Sequence, residues 1–94
     1  MATAKDFLAA LKAVRDTQAE QVVGTFKLFP DNRMGRGFSS EQQVMRHDPL
    51  RLEPSCLSPR LGGMRYWPDT DAGMLRIAKR YAADEAAEMA NRAD

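Results

Sequence analysis

Residues 68–92, PDTDAGMLRIAKRYAADEAAEMANR, decide the fold, because no other run is as long, as periodic or as well punctuated at its start. Trp67 precedes a proline and is pushed toward extended geometry, while Asp69 and Thr70 can accept hydrogen bonds from first-turn amides. Asp69 and Asp71 also oppose the positive end of the helix dipole. From there Met74, Ile77, Ala78 and Tyr81 share one face, and Leu75, Ala78, Ala82, Ala86 and Met89 form an adjoining stripe. Eight alanines between Ala72 and Ala93 raise helix propensity and leave a small-residue surface that another backbone can approach. The spacing predicts a helix over 69–92, about 35 Å long at 1.5 Å per residue. Its apolar stripe serves a core down to Ala82, and the acidic, alanine-lined remainder from Ala83 to Arg92 is expected to overhang it.

Working back toward the start, Thr3 and Asp6 make a capping box for an amphipathic helix over 4–20, with Phe7, Leu8, Leu11 and Val14 on its apolar side. VVGTFKLF, residues 22–29, reads as a strand that Pro30-Asp31-Asn32 closes with turn chemistry, and 34–39 returns to complete a hairpin over 22–38. Ser39 and Ser40 before Glu41-Gln42-Gln43 predict a short helix over 39–47, with a strand over 43–47 as the alternative. Pro49, Pro54 and Pro59 keep 48–67 as an extended arginine-bearing arm with short strands, and Gly62-Gly63 supplies a turn. The expected architecture is α+β: a small antiparallel sheet packed against a long C-terminal helix, with an N-terminal amphipathic helix, in one domain spanning 1–94.

Ninety-four residues with 44% hydrophobic and 29% charged side chains describe an ordinary soluble domain. No run approaches the roughly 18 apolar residues needed to span a bilayer. A single cysteine, Cys56, fits a reducing compartment, so cytoplasm is the expected location. The net charge of +1 hides an uneven distribution: residues 26–80 hold ten basic and six acidic groups, whereas 81–94 hold Arg92 against Asp84, Glu85, Glu88 and Asp94. The middle is basic and the tail acidic.

No catalytic set emerges. His47 and Cys56 are nine residues apart, but nothing places the thiol where a thiolate is stabilised, and one His with one Cys cannot build a zinc site. Asp69-Thr70-Asp71-Ala72-Gly73 lacks the later ligands of a calcium loop, so capping explains its acids. Met34-Gly35-Arg36-Gly37 lacks the Gly-Lys-Ser/Thr end of a phosphate loop. No cofactor or metal is expected. What accumulates is arginine: Arg33, Arg36, Arg46, Arg51, Arg60 and Arg65, interleaved with Phe38, Tyr66 and Trp67. Arginine pairs bidentately with phosphates and carboxylates.

The leading expectation is a small non-enzymatic protein, bacterial or from a phage, that binds another macromolecule as an adaptor, inhibitor or assembly subunit. Its contact residues are expected to be those six arginines together with Glu85 and Glu88 on the alanine-faced helix. The competing reading is a nucleic-acid binder using the same arginines, with the aromatics stacking on bases. A homodimer through antiparallel packing of like alanine faces is a further expectation.

Overall fold

The computed structural model describes residues 1–46 and 56–93. Its first helix, α1 (Ala4–Thr17), begins as the sequence dictates: Thr3 is the N-cap, its hydroxyl accepts from the Asp6 amide, and the Asp6 carboxylate accepts from the Thr3 amide at 2.8 Å. The helix stops three residues short of the expected end, because Gln18 turns left-handed (φ 56°) and its amide donates to the Val14 carbonyl.

The stretch 22–29 is not one strand but two. β1 (Gln21–Val23) and β2 (Phe26–Pro30) pair antiparallel through a two-residue turn at Gly24-Thr25. Gly24 sits at φ 57°, the positive value that this position of a tight hairpin requires. The expected short helix over 39–47 is absent, replaced by the ten-residue strand β3 (Gly37–Arg46). The N-cap signature loses because Phe38, Ser40, Gln42 and Val44 alternate toward the helices, and burial of that face outweighs a local cap. β4 (Cys56–Leu61) and β5 (Arg65–Tyr66) both pair with β3, at its two ends. The path through the antiparallel sheet is β1-β2-β3-β4. The second helix, α2 (Asp71–Ala93), is capped by Thr70, whose hydroxyl accepts from the Gly73 amide at 3.0 Å.

Both helices lie on one side of the sheet. Phe7, Leu11 and Val14 of α1 meet Met74, Ala78 and Tyr81 of α2 over Phe26, Leu28 and Phe38. The rings of Phe7, Phe26 and Tyr81 touch pairwise at centroid distances of 5.0–5.7 Å, two of the three pairs edge-on. Such geometry adds about 1 kcal/mol per pair beyond the area buried. At the other end Trp67 lies against Phe38, centroids 4.5 Å apart. The chain is therefore an α+β fold, with two helices packed on one face of an antiparallel sheet.

The overhang expected beyond Ala82 is corrected. α2 keeps contact with the strands through Glu85 and Glu88, which are only 1% and 6% exposed and continue the buried line of Met74, Ala78 and Tyr81 at helical steps. The reason lies in the sheet. β2 ends its pairing at Phe26 opposite Gln42, while β3 runs on to Arg46. Beyond that point the Gln43 amide still reaches the Thr25 carbonyl at 3.0 Å, but the reciprocal bond is replaced. The Thr25 amide and hydroxyl donate to Glu85 at 2.8 and 3.0 Å, and the Gln43 carbonyl accepts from Arg92 at 2.6 Å. Further along, the Met45 amide donates to Glu88 at 2.9 Å and the Met45 carbonyl accepts from Asn91 at 3.1 Å. About two helix turns, Glu85 to Arg92, thus stand in for the strand that β3 lacks.

This arrangement fixes Gly24. A methyl group there would lie 2.2 Å from the Glu85 carboxylate oxygen and would have to adopt a positive φ. Gly24→Ala is expected to lower stability by about 2–3 kcal/mol, from the left-handed backbone and the displaced carboxylate together. Gly63→Ala, whose added methyl meets nothing within 4 Å, should stay within about 0.5 kcal/mol of the parent. Urea titration of the two variants checks the contrast, and equal midpoints would refute the account of Gly24.

Candidate binding groove

α1 covers β1 and β2 and α2 lies over β3, which leaves the helix-side face of β4 open. The result is a groove between the second half of α2 and strands β3 and β4. One part, about 320 Å³, is walled by Asp84, Ala87 and Asn91 on the helix and by Val44, Arg46 and Arg60 on the strands. An adjoining part of about 370 Å³ shares Gln42, Arg60 and Asp84 and runs on past Gly62-Gly63 to Arg65 and Tyr81. Arg46, Arg60 and Arg65 meet here for a reason of register. Arg46 and Arg60 occupy positions on β3 and β4 that face the helices, and Arg65 pairs with Phe38 on the same side.

Two of these side chains, Arg46 and Arg60, are held by hydrogen bonds. Arg46 donates to the Ser58 hydroxyl at 2.8 Å, across the β3–β4 ladder. The Arg60 guanidinium donates to the side-chain carbonyl of Gln42. Gln42, 1% exposed, passes the chain inward, its amide donating to the Thr25 hydroxyl at 3.0 Å and to the Asp84 carbonyl at 3.4 Å. A continuous run of hydrogen bonds therefore links the groove arginine Arg60 through Gln42 and Thr25 to buried Glu85. Arg65 lies near Tyr81, whose hydroxyl is pushed above its ordinary value by burial, against the Ser40 hydrogen bond and the Arg65 charge. The groove presents three forked cations on one wall and the Asp84 carboxylate on the other.

The remaining expected contact residues lie elsewhere. Arg33 sits at the far end of β2 and is committed to Asp31, its Nε and Nη2 donating at 2.9 and 2.7 Å. The same carboxylate accepts from the buried Ser39 hydroxyl at 2.6 Å. Arg36 is exposed in the β2–β3 connection, where its carbonyl accepts from the Trp67 amide at 3.4 Å. Arg51 and His47 lie outside the described residues. Glu85 and Glu88, expected on an exposed contact surface, are inside the fold and bonded to strand amides, so they are corrected to structural roles. The interleaved aromatics do not form a platform beside the arginines. Phe38 and Trp67 pack on each other, and Tyr66 lies on the opposite side of the sheet with its hydroxyl bonded to the Met34 carbonyl at 2.8 Å.

Sequence reasoning missed Gln42, Thr25 and Asp84. Gln42 lay in a stretch assigned to a helix, and only the alternation of Phe38, Ser40, Gln42 and Val44 pointed to a strand with a polar residue on its buried side. Among the described residues no three His, Cys, Asp or Glu side chains gather as a metal site would require. Cys56 is exposed and free.

Of the carboxyls held below their ordinary value, two are buried. Asp31 is held well below its usual value, first by Arg33, then by the Ser39 hydroxyl, with burial opposing both. For Glu88 burial is the largest influence and pushes the carboxyl up, but Arg92, the Met45 amide and Asn91 together outweigh it and leave it lowered. A carboxyl depressed in the folded state contributes stability that is fully present above its unfolded value and lost as pH falls through the folded one. The melting temperature should therefore be flat from neutral pH to about 5 and decline below the ordinary carboxylate range near 4. Asp31→Asn should lower stability at neutral pH and make the acid decline shallower. An acid limb identical to the parent's would show that Asp31 is not a source of that decline.

No family model, curated protein or solved structure matches the chain.

Proposed function

We propose that this is a small non-enzymatic protein that binds an acidic, extended segment of another protein in the groove between α2 and β3–β4. The observation that carries the reading is the convergence of Arg46, Arg60 and Arg65 on one groove from three strands that are separate in sequence. Carboxylate side chains and carbonyls of an extended peptide would meet forked guanidinium groups of the right geometry. The neighbouring helix wall offers the exposed Ala87, over which a peptide backbone can lie closely. Asp84 on the facing wall gives direction, repelling acidic side chains from one side of the groove and accepting amides on the other.

Nucleic acid is the weaker reading for the same site. Asp84 and Glu88 border the groove, the whole chain carries only +1, and the aromatic side chains that would stack on bases are packed away or on the other face of the sheet.

Arg46→Glu and Arg65→Glu are both exposed changes and are expected to leave the melting temperature within a few degrees of the parent. Capture from the native host, read by mass spectrometry, should lose the same protein partner with either variant. In parallel, binding of a fluorescent single-stranded oligonucleotide should be weak and nearly independent of salt. A steep salt slope with nucleic acid would replace the protein reading with the other, and a partner set unchanged by both variants would remove the groove as the interface.

A further inference from the structure

The face of the sheet turned away from the helices carries an ordered row. Strand register places Val22 opposite Lys27, Lys27 opposite Glu41, and Glu41 opposite Leu61. These four residues, one from each of β1 to β4, therefore stand side by side across the sheet in the sequence apolar, positive, negative, apolar. Their side chains all point outward, since the next residue on each side in β2 and β3 (Phe26 and Leu28, Ser40 and Gln42) is buried under the helices. Val22 and Leu61 are 73% and 75% exposed. Leu57 on β4 and Tyr66 on β5 extend the apolar surface on the same face. Val22, Lys27, Glu41, Gln43, Leu57 and, at the helix end, Arg92 border one shallow trough of about 250 Å³.

The order of the row is self-complementary. Consider a two-fold axis lying in the plane above the sheet, parallel to the strands and midway between β2 and β3. It carries β2 of one copy over β3 of the other, and β1 over β4. Lys27 then faces the other copy's Glu41, Glu41 faces its Lys27, and Val22 and Leu61 face each other at both flanks. Within this row each charge finds its opposite and each apolar side chain an apolar one. An unrelated partner would have to supply that alternation independently, whereas a second copy supplies it by symmetry.

We propose that two copies of this chain associate face to face through the outer surface of the sheet, about a two-fold axis that pairs Lys27 with Glu41 across the interface. Two sheets stacked this way lie about 10 Å apart and close to aligned, as in a β-sandwich. Four strands averaging about six residues span roughly 400 Å² in projection. With side-chain relief, two copies remove on the order of 1,000 Å² from water, the lower end for a specific interface. The dimer is consequently weak and reversible. The surface is also separate from the arginine groove, which lies on the helix side, so the dimer would present two grooves outward. This differs from the antiparallel alanine-face packing expected from sequence, because Ala78 is fully buried and Ala82 half-buried within the chain itself.

Sedimentation velocity from micromolar to millimolar protein should show the mass rising from the 10.5 kDa monomer toward twice that value. Leu61→Glu should weaken self-association at least about tenfold while leaving the melting temperature unchanged; Lys27→Glu and Glu41→Lys taken singly should weaken it likewise, with a small fall in melting temperature from the like-charged cross-strand pair. The decisive arm mixes the last two. Within either variant the cross-strand pair has like charges, so no folding effect is relieved by mixing; only an intermolecular pairing can be. The mixture should regain association, and native mass spectrometry should show the mixed dimer in excess over either homodimer. A parent that stays monomeric throughout overturns the proposal. So does association that Leu61→Glu leaves intact, or a mixture that behaves as its separate components.

Discussion

A ten-residue strand flanked by a five-residue one leaves backbone donors and acceptors without a ladder, and the structure depends on how that deficit is met. Glu85, Glu88, Asn91 and Arg92 meet it from α2, with bonds of 2.6–3.1 Å to the Thr25 amide and to Gln43 and Met45 of β3. A bond from a backbone amide to a carboxylate is charge-assisted and shorter than a neutral one, so a few such bonds can replace a longer row of strand pairing. They also fix where the helix lies. Glu88 in turn is balanced by Arg92 at 2.7 Å, four residues on, and by Asn91 at 3.2 Å, so the buried charge is both paired and fully bonded.

The hydrophobic core sets the other end of the same helix. Met74, Ala78 and Tyr81 meet α1 and the β2–β3 strands around the Phe7–Phe26–Tyr81 cluster, which needs no directional bonds to be stable. α2 is therefore apolar-anchored in its first half and polar-anchored in its second. The change falls at Asp84-Glu85, where Gln42 reaches across to the Asp84 carbonyl. This division opens the groove. A polar anchor holds the helix to β3 by side chains of some length, and the face of β4 beyond is left uncovered.

The helices, their caps and the α+β class were legible because each rests on local chemistry. Thr3 with Asp6, and Thr70 with the Gly73 amide, use residues within one turn of each other. The sheet was legible only in part. Residues 22–29 read as one strand, whereas Gly24, left-handed, is the hinge of a hairpin within them. Ser39-Ser40-Glu41 imitates a helix start, and nothing local reveals that Ser40 and Gln42 fill inward positions of a strand. Glu85 and Glu88 were misplaced for a physical reason: a glutamate on a helix is normally solvated, and its burial depends on an amide sixty or forty-three residues away. Of the site, the arginines were visible as residue types. Their sorting was not, since whether Arg33 or Arg60 faces the groove depends on register and on the Asp31 carboxylate that captures Arg33.

The two surfaces have different physical characters that follow from one asymmetry. Helices on one side make that side of β3 a buried face whose polar residues, Ser40 and Gln42, must be bonded internally, so the groove at its border is lined by side chains already oriented by a network. Pre-set guanidinium groups lose little freedom on binding, which favours a ligand that itself must be ordered. The opposite side is bonded internally at one end, where buried Ser39 meets Asp31; elsewhere its side chains are exposed, Lys27 lies between Glu41 and Glu20, and strand register sets their order. A one-residue slip between β2 and β3 would remove Lys27 from Glu41 and also turn Phe26 and Leu28 out of the core. The register that the core enforces on one face is thus the same one that orders the charges on the other, and the outer row cannot be altered by slippage without unfolding the protein.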